Sequence, residues 1–193
     1  MEGKFQNRYR IASARAPWWD YGQDAAYFVT ICTGDRKHFF GDVVNGDMKL
    51  SHVGIIADIL WHEIKNHAKN IELGEYVVMP NHVHGILVLN GNAVSAGTTH
   101  AVSIETTHAL SLQSINQTPA QSRFKNQGKN TLSSIIGSYK SAVTRHSHRL
   151  GYEFEWQPRF HDHIIRNEEE YQRISAYIKA NPSKWNEDKF FKK

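Results

Sequence analysis

The sequence predicts an α+β fold, ferredoxin-like in order (βαββαβ). One antiparallel sheet carries helices on one side, and a further helix lies near the C-terminus. Two observations predict it. Runs rich in aromatic and β-branched residues recur at 26–33, 75–79, 82–89 and 160–166, as strands require. Segments with helical apolar spacing fall between and after them, giving the order strand, helix, two strands, helix, strand, helix.

Taken in order, residues 1–24 form a polar, basic arm with Arg8, Arg10 and Arg15. Tyr27 to Cys32 anchor the first strand, and Gly34-Asp35 is a turn signal. Phe39 to Leu50, with Asn45-Gly46-Asp47 at its middle, predicts a small hairpin. Ser51 caps a helix whose apolar stripe reads Ile55, Ile56, Ile59, Leu60 and Ile64. Strands follow at 75–79 and 82–89, separated by Pro80-Asn81. Residues 91–130 are rich in Ser, Thr, Asn, Gln and Gly and read as a mobile insertion, so His100 and His108 are not expected to be catalytic. Leu132, Ile135, Ile136, Tyr139 and Val143 stripe the next helix. Asn167 caps the last one, with Glu168-Glu169-Glu170 at the positive end of its dipole. Pro182 stops that helix near Ala180. The expected organisation is therefore an arm at 1–24, one domain at 25–182 interrupted at about 91–130, and a charged tail at 183–193.

Composition narrows the function classes. With 193 residues, 40% of them hydrophobic, the chain can bury a proper core. A single cysteine, Cys32, excludes an internal disulfide or a thiolate metal cluster, and fits a reducing cytosol. No apolar run approaches the roughly 20 residues that span a bilayer. The net charge of +4 suits a nucleic-acid partner without requiring one.

His82 and His84 are two apart in a strand, so both imidazoles project from one face, where neutral imidazoles can share a divalent ion. Surface or capping histidines have the same spacing by chance. Tyr177 lies beside a stripe of Tyr171, Ile174 and Ile178, and spacing alone makes it an extension of that stripe. Tyr139, on an earlier helix, is a rival for any tyrosine chemistry.

Two longer motifs go further. Tyr76-Val77-Val78-Met79-Pro80-Asn81-His82-Val83-His84-Gly85-Ile86-Leu87 resembles the central motif of the IS200-like single-tyrosine transposases of the HUH endonuclease superfamily. Trp156-Gln157-Pro158-Arg159-Phe160, His163-Ile164-Ile165-Arg166-Asn167 and Tyr177-Ile178-Lys179-Ala180-Asn181-Pro182 resemble the REP-associated tyrosine transposase branch. The resemblance covers roughly residues 20–90 and 130–185.

It implies a ferredoxin-like fold and metal-dependent transesterification on single-stranded, hairpin-bearing DNA through a 5′-phosphotyrosine intermediate. It also implies a cytoplasmic, nucleoid-associated protein that works as a monomer or homodimer. By resemblance, Tyr177 is the nucleophile, and His82, His84 and Asn181 hold Mg²⁺ or Mn²⁺. Mn²⁺ accepts imidazole more readily.

Trp156 and Arg159, with Arg166, are candidates for the DNA path, and Lys140 and Arg145 for a basic helix face. Core burial is the alternative for Trp156, and a merely solvated face for the other two. His161 and His163 repeat the spacing of the pair; substrate contact or local structure is the expectation, a second metal site the alternative. Two other functions compete: a DNA- or RNA-binding protein of this family without catalysis, and a metal-dependent hydrolase that uses water.

Overall fold

A computed structural model describes residues 24–90 and 131–191, together with two short backbone strands, β1 (Lys4–Phe5) and β2 (Arg8–Tyr9), which pair antiparallel. The rest of the basic arm and the 91–130 insertion, with His100 and His108, lie outside the described residues.

The main sheet has four strands: β3 (Ala25–Cys32), β6 (Ile71–Met79), β7 (His82–Leu89) and β8 (His161–Ile165). Their spatial order is β6-β7-β3-β8, every pair antiparallel, which is the ferredoxin-like arrangement the sequence predicts. Between β3 and the first helix sits the expected hairpin, β4 (Gly41–Val44) and β5 (Asp47–Leu50). Its turn residues Asn45 and Gly46 take φ of 54° and 83°, the left-handed pair that a tight two-residue hairpin needs.

Alternation along β3 and β7 divides the molecule into two layers. Tyr27, Val29, Ile31, Val83 and Leu87 face α1 (His52–His67) and α2 (Leu132–Arg149), which cover this side with Trp61, Ile64, Ile136 and Val143. Phe28 and Ile86 face the other way, against Ile174 and Ile178 of α3 (Glu168–Ala180). Each helix starts on a side-chain cap: Ser51 accepts from Gly54 N–H, Thr131 from Ser134 N–H, and Asn167 from Glu170 N–H.

Two expectations are corrected. β6 begins at Ile71 rather than residue 75, because a bulge between Leu73 and Tyr76 lets the strand run on past Gly74. In α1 the buried face is Val53, Ala57, Trp61 and Ile64, while Ile55 and Ile59 are exposed. The indole of Trp61 is the largest group on this helix and takes the interior. That fixes the rotation of the helix and turns the two isoleucines outward.

Trp61 also explains Gly85. The indole is fully buried, stacked on Tyr76 and edge-on to Tyr139, and a Cβ at position 85 would overlap its Cζ2 and Cη2. Gly85→Ala should therefore destabilise the fold by about 3 kcal/mol. Urea unfolding checks this; a loss well under 1 kcal/mol would mean the indole has room to move.

Candidate active site

The site lies on the α3 side of the sheet, at the end of β7. The register pairs His82 with Cys32 and His84 with Thr30, so both imidazoles rise from one face, as the two-residue spacing requires. Both are buried, at 0% and 1% exposure.

Their protonation can be read from their neighbours. Asn81 Nδ2 donates to the carbonyls of Phe190 (2.8 Å) and Arg36 (3.3 Å), so Asn81 Oδ1 is the atom 2.9 Å from His82 Nδ1. An amide oxygen only accepts, so His82 Nδ1 carries the proton and Nε2 is a bare lone pair. His84 Nδ1 lies 2.9 Å from Thr30 Oγ1, and the Val29 carbonyl also accepts from this ring. That leaves His84 Nε2 as the acceptor turned toward Tyr177.

Burial keeps both rings neutral. It lowers His82 well below the usual histidine range, helped by His84, Lys189 and Arg36. It lowers His84 to about 4 against a partial lift from Asp188. Neutral imidazole is the ligating form.

A neutral buried histidine also makes stability depend on pH. The unfolded chain takes up a proton near 6.5, but the folded chain does not until about 4 for His84. The stabilisation is complete above pH 6.5 and is lost as pH falls toward 4. For His84 alone it amounts to about 3 kcal/mol at most. With chelator present, urea midpoints should therefore drop steeply between pH 7 and 4.5; a flat profile would contradict neutral buried rings.

Tyr177 comes from α3. Its helix buries Ile174, Ser175 and Ile178, while Tyr177 is 41% exposed and turned along the sheet toward the histidines. Its hydroxyl lies 3.3 Å from His84 Nε2 and 3.3 Å from Asp188 Oδ2. Partial burial and the Asp188 carboxylate push the phenol up to about 12, and an Asn181 hydrogen bond opposes them. Asn181, one turn on, is buried; its Nδ2 donates to Asp188 Oδ2 at 3.0 Å. Tyr139, the rival, is a core residue whose hydroxyl donates to the Ala57 carbonyl.

Asp188 was not legible in the sequence. The segment read as a charged tail instead folds back: Pro182–Glu187 form a 3₁₀ turn, and Trp185 and Phe190 are buried against Met79. The Phe190 ring lies 4.6 Å from that of His82 and 5.8 Å from that of His84. Asp188 Oδ1 accepts from Phe190 N–H, which fixes the carboxylate beside the histidines.

His82, His84 and Asp188 offer ligand atoms within 4.8 Å of one another, the one such group of three among the described residues. Two buried acceptors at this spot, His82 Nε2 and Asn181 Oδ1, have no hydrogen-bond donor. Orphaned lone pairs beside a carboxylate are what a cation satisfies, so this donor set fits a divalent ion.

The other candidates fall elsewhere. Lys140 donates to the carbonyls of Gln157 and Arg159 and lies over the Trp156 ring, tying that loop to α2. Trp156 packs on Phe40, Tyr139 and Phe154, and its Nε1 donates to the Lys140 carbonyl. Arg145 lines a groove between α1 and α2 on the far side of the sheet. Arg159 and Arg166 are exposed at either end of β8. His161 and His163 share the site face of β8, paired with Thr30 and Phe28. His163 is held by Glu170 at 2.9 Å, and Glu170 also accepts from the Arg166 N–H at the start of α3. Cys32 is half-buried, its thiol pushed up by burial.

No family model matches the chain. An uncharacterized protein of Haemophilus influenzae is 29% identical over 180 residues, covering 93% of this chain and 92% of that protein. Among solved structures, a REP-associated tyrosine transposase bound to a REP hairpin superposes with a TM-score of 0.55 at 20% identity, covering 93% of this chain and 77% of that one. No helix among the described residues is long and apolar enough to cross a membrane. The four-stranded order, the helix placement and this superposition agree: the chain has the fold of a REP-associated tyrosine transposase.

Proposed function

We propose that this chain is a metal-dependent single-strand DNA transesterase, a transposase or nickase-ligase with Tyr177 as nucleophile. The observation that carries the proposal is the Tyr177 hydroxyl 3.3 Å from His84 Nε2 within one chain, at the rim of a donor set that fits a cation. A phenol with its usual pKa near 10 is a poor nucleophile, and burial beside Asp188 makes this one poorer.

In this reading His82, His84 and Asp188 hold Mg²⁺ or Mn²⁺, and Asn181, whose Nδ2 donates to Asp188, offers its unpartnered Oδ1 as a fourth donor. The ion, when bound, screens phosphate charge and favours the phenolate. Tyr177 Oη attacks the phosphorus, the P–O3′ bond breaks, and the upstream strand leaves with a 3′-OH. The phenolic proton starts between His84 Nε2 and Asp188 Oδ2 and ends, directly or through water, on that leaving oxygen. The downstream strand stays linked through a 5′-phosphotyrosine, and attack by a 3′-OH reverses the step without ATP. Arg159 and Arg166, flanking the edge strand β8, neutralise backbone phosphates of the bound strand. The proposed substrate class, hairpin-bearing single-stranded DNA, is supported by the REP hairpin bound to the transposase that shares this fold.

The test is covalent capture. A hairpin oligonucleotide with single-stranded flanks, labelled at its 3′ end, is incubated with the protein and Mn²⁺, Mg²⁺ or chelator. The label should co-migrate with denatured protein only when a divalent ion is present. Cleavage without an adduct would assign a water-using hydrolase instead. Hairpin binding with neither would assign a binding protein.

A further inference from the structure

We infer that Asn81 is a positioning residue. One buried carboxamide fixes the tautomer of His82 and clasps the segment that delivers Asp188. The inference rests on the reading of His82 as a metal ligand, and adds what makes that ligand competent.

Asn81 is 0% exposed and its backbone is pinned by Thr33, whose N–H donates to the Asn81 carbonyl at 2.9 Å and whose hydroxyl is shared between that carbonyl (3.0 Å) and the Lys37 carbonyl (2.7 Å). Its side chain has one acceptor and two donor hydrogens, and all are assigned by geometry. Both Nδ2 hydrogens meet carbonyl oxygens, Phe190 at 2.8 Å and Arg36 at 3.3 Å, so the amide cannot turn over without setting oxygen against oxygen. Oδ1 is thereby committed to His82 Nδ1 at 2.9 Å.

Imidazole is neutral here, so a proton fixed on Nδ1 leaves none on Nε2. The bare Nε2 is the buried, donorless atom beside His84 and Asp188. With the opposite tautomer an N–H would point at the ion position and His82 would not be a ligand. The Phe190 carbonyl held by the same amide lies two residues from Asp188, and Phe190 N–H holds the Asp188 carboxylate. A single side chain thus sets two of the three members of the cluster, one by proton placement and one by tethering. Thr30 and the Val29 carbonyl serve His84 in the first respect only.

The experiment uses the full-length, metal-free protein labelled with ¹⁵N-histidine. Wild-type His82 should show a protonated Nδ1 and an unprotonated Nε2. In Asn81→Ala the His82 signals should move toward the Nε2–H tautomer, and Mn²⁺ affinity, read by titration without DNA, should fall 10- to 100-fold, as expected when the partner of a ligating histidine is lost. Asn81→Asp keeps an acceptor for Nδ1–H but sets its second oxygen against the Phe190 and Arg36 carbonyls, so the wild-type tautomer should return while Mn²⁺ affinity stays below that of the wild type. An Nε2–H tautomer in the wild type overturns the inference even if the variants fail to fold. So does Asn81→Ala retaining both the tautomer and the Mn²⁺ affinity within twofold. Neither readout involves DNA cleavage, so failure of the transesterase reading would show in covalent capture and not here.

Discussion

Tyr177→Phe should abolish covalent capture of DNA, a loss on the order of 10⁴-fold or more in adduct formation, while leaving the fold and metal binding nearly untouched. The variant removes one oxygen from a side chain that is 41% exposed, an oxygen that lies 3.3 Å from both His84 Nε2 and Asp188 Oδ2. His84 Nε2 loses the hydroxyl that meets it, a cost of about 1 kcal/mol in the metal-free protein, while Asp188 keeps the Asn181 and Phe190 donors. A loss of stability no greater than that, with unchanged Mn²⁺ affinity, would show that the effect is chemical. Tyr171, two turns earlier, is no substitute: its hydroxyl lies over Gly74, on the β6 side of α3. Adduct formation that survives in Tyr177→Phe would place the nucleophile elsewhere.

Asp188→Ala should move two measurements in opposite directions. In the DNA-free protein the cluster loses its only carboxylate, and Mn²⁺ affinity should drop about 100-fold or more, beyond the loss of an outer partner of a ligand. In the metal-free protein burial, the larger cause of the raised Tyr177 phenol, remains, but the same change removes the Asp188 contribution, so the phenolate absorbance should appear at a pH below about 12. Unfolding would also weaken the ion site and release the phenol, so the two shifts count only with a cooperative urea transition and far-ultraviolet circular dichroism like those of the wild type. Unchanged Mn²⁺ affinity would remove Asp188 from the ligand set.

The sheet and its helices were legible because their signals are local. Runs rich in aromatic and β-branched residues predict β3 and β7, and the caps Ser51 and Asn167 stand at the predicted positions. The pairing of His82 with His84 followed from strand alternation, and the choice of Tyr177 over Tyr139 followed from the motif. What was illegible depends on contacts distant in sequence. Ile55 and Ile59 read as core until Trp61 sets the rotation of α1. Lys140 read as part of a basic helix face for DNA, or of a merely solvated one, yet two loop carbonyls take its ammonium. Asp188 sits in a segment with no periodicity. Its place is set by Trp185 and Phe190 docking on Met79, and those aromatics were the one hint available in an otherwise charged stretch.

The position of Phe190 constrains how a nucleic acid can arrive. Its ring lies 4.6 Å from that of His82 and 5.8 Å from that of His84 and is itself buried, so it walls the imidazoles off on that side. Tyr177, 41% exposed, is the open side, so a strand arriving there meets the phenol before it meets the histidines. A divalent ion held by His82, His84 and Asp188 would keep a net positive charge against a single carboxylate, and would draw a phosphate group to that open side.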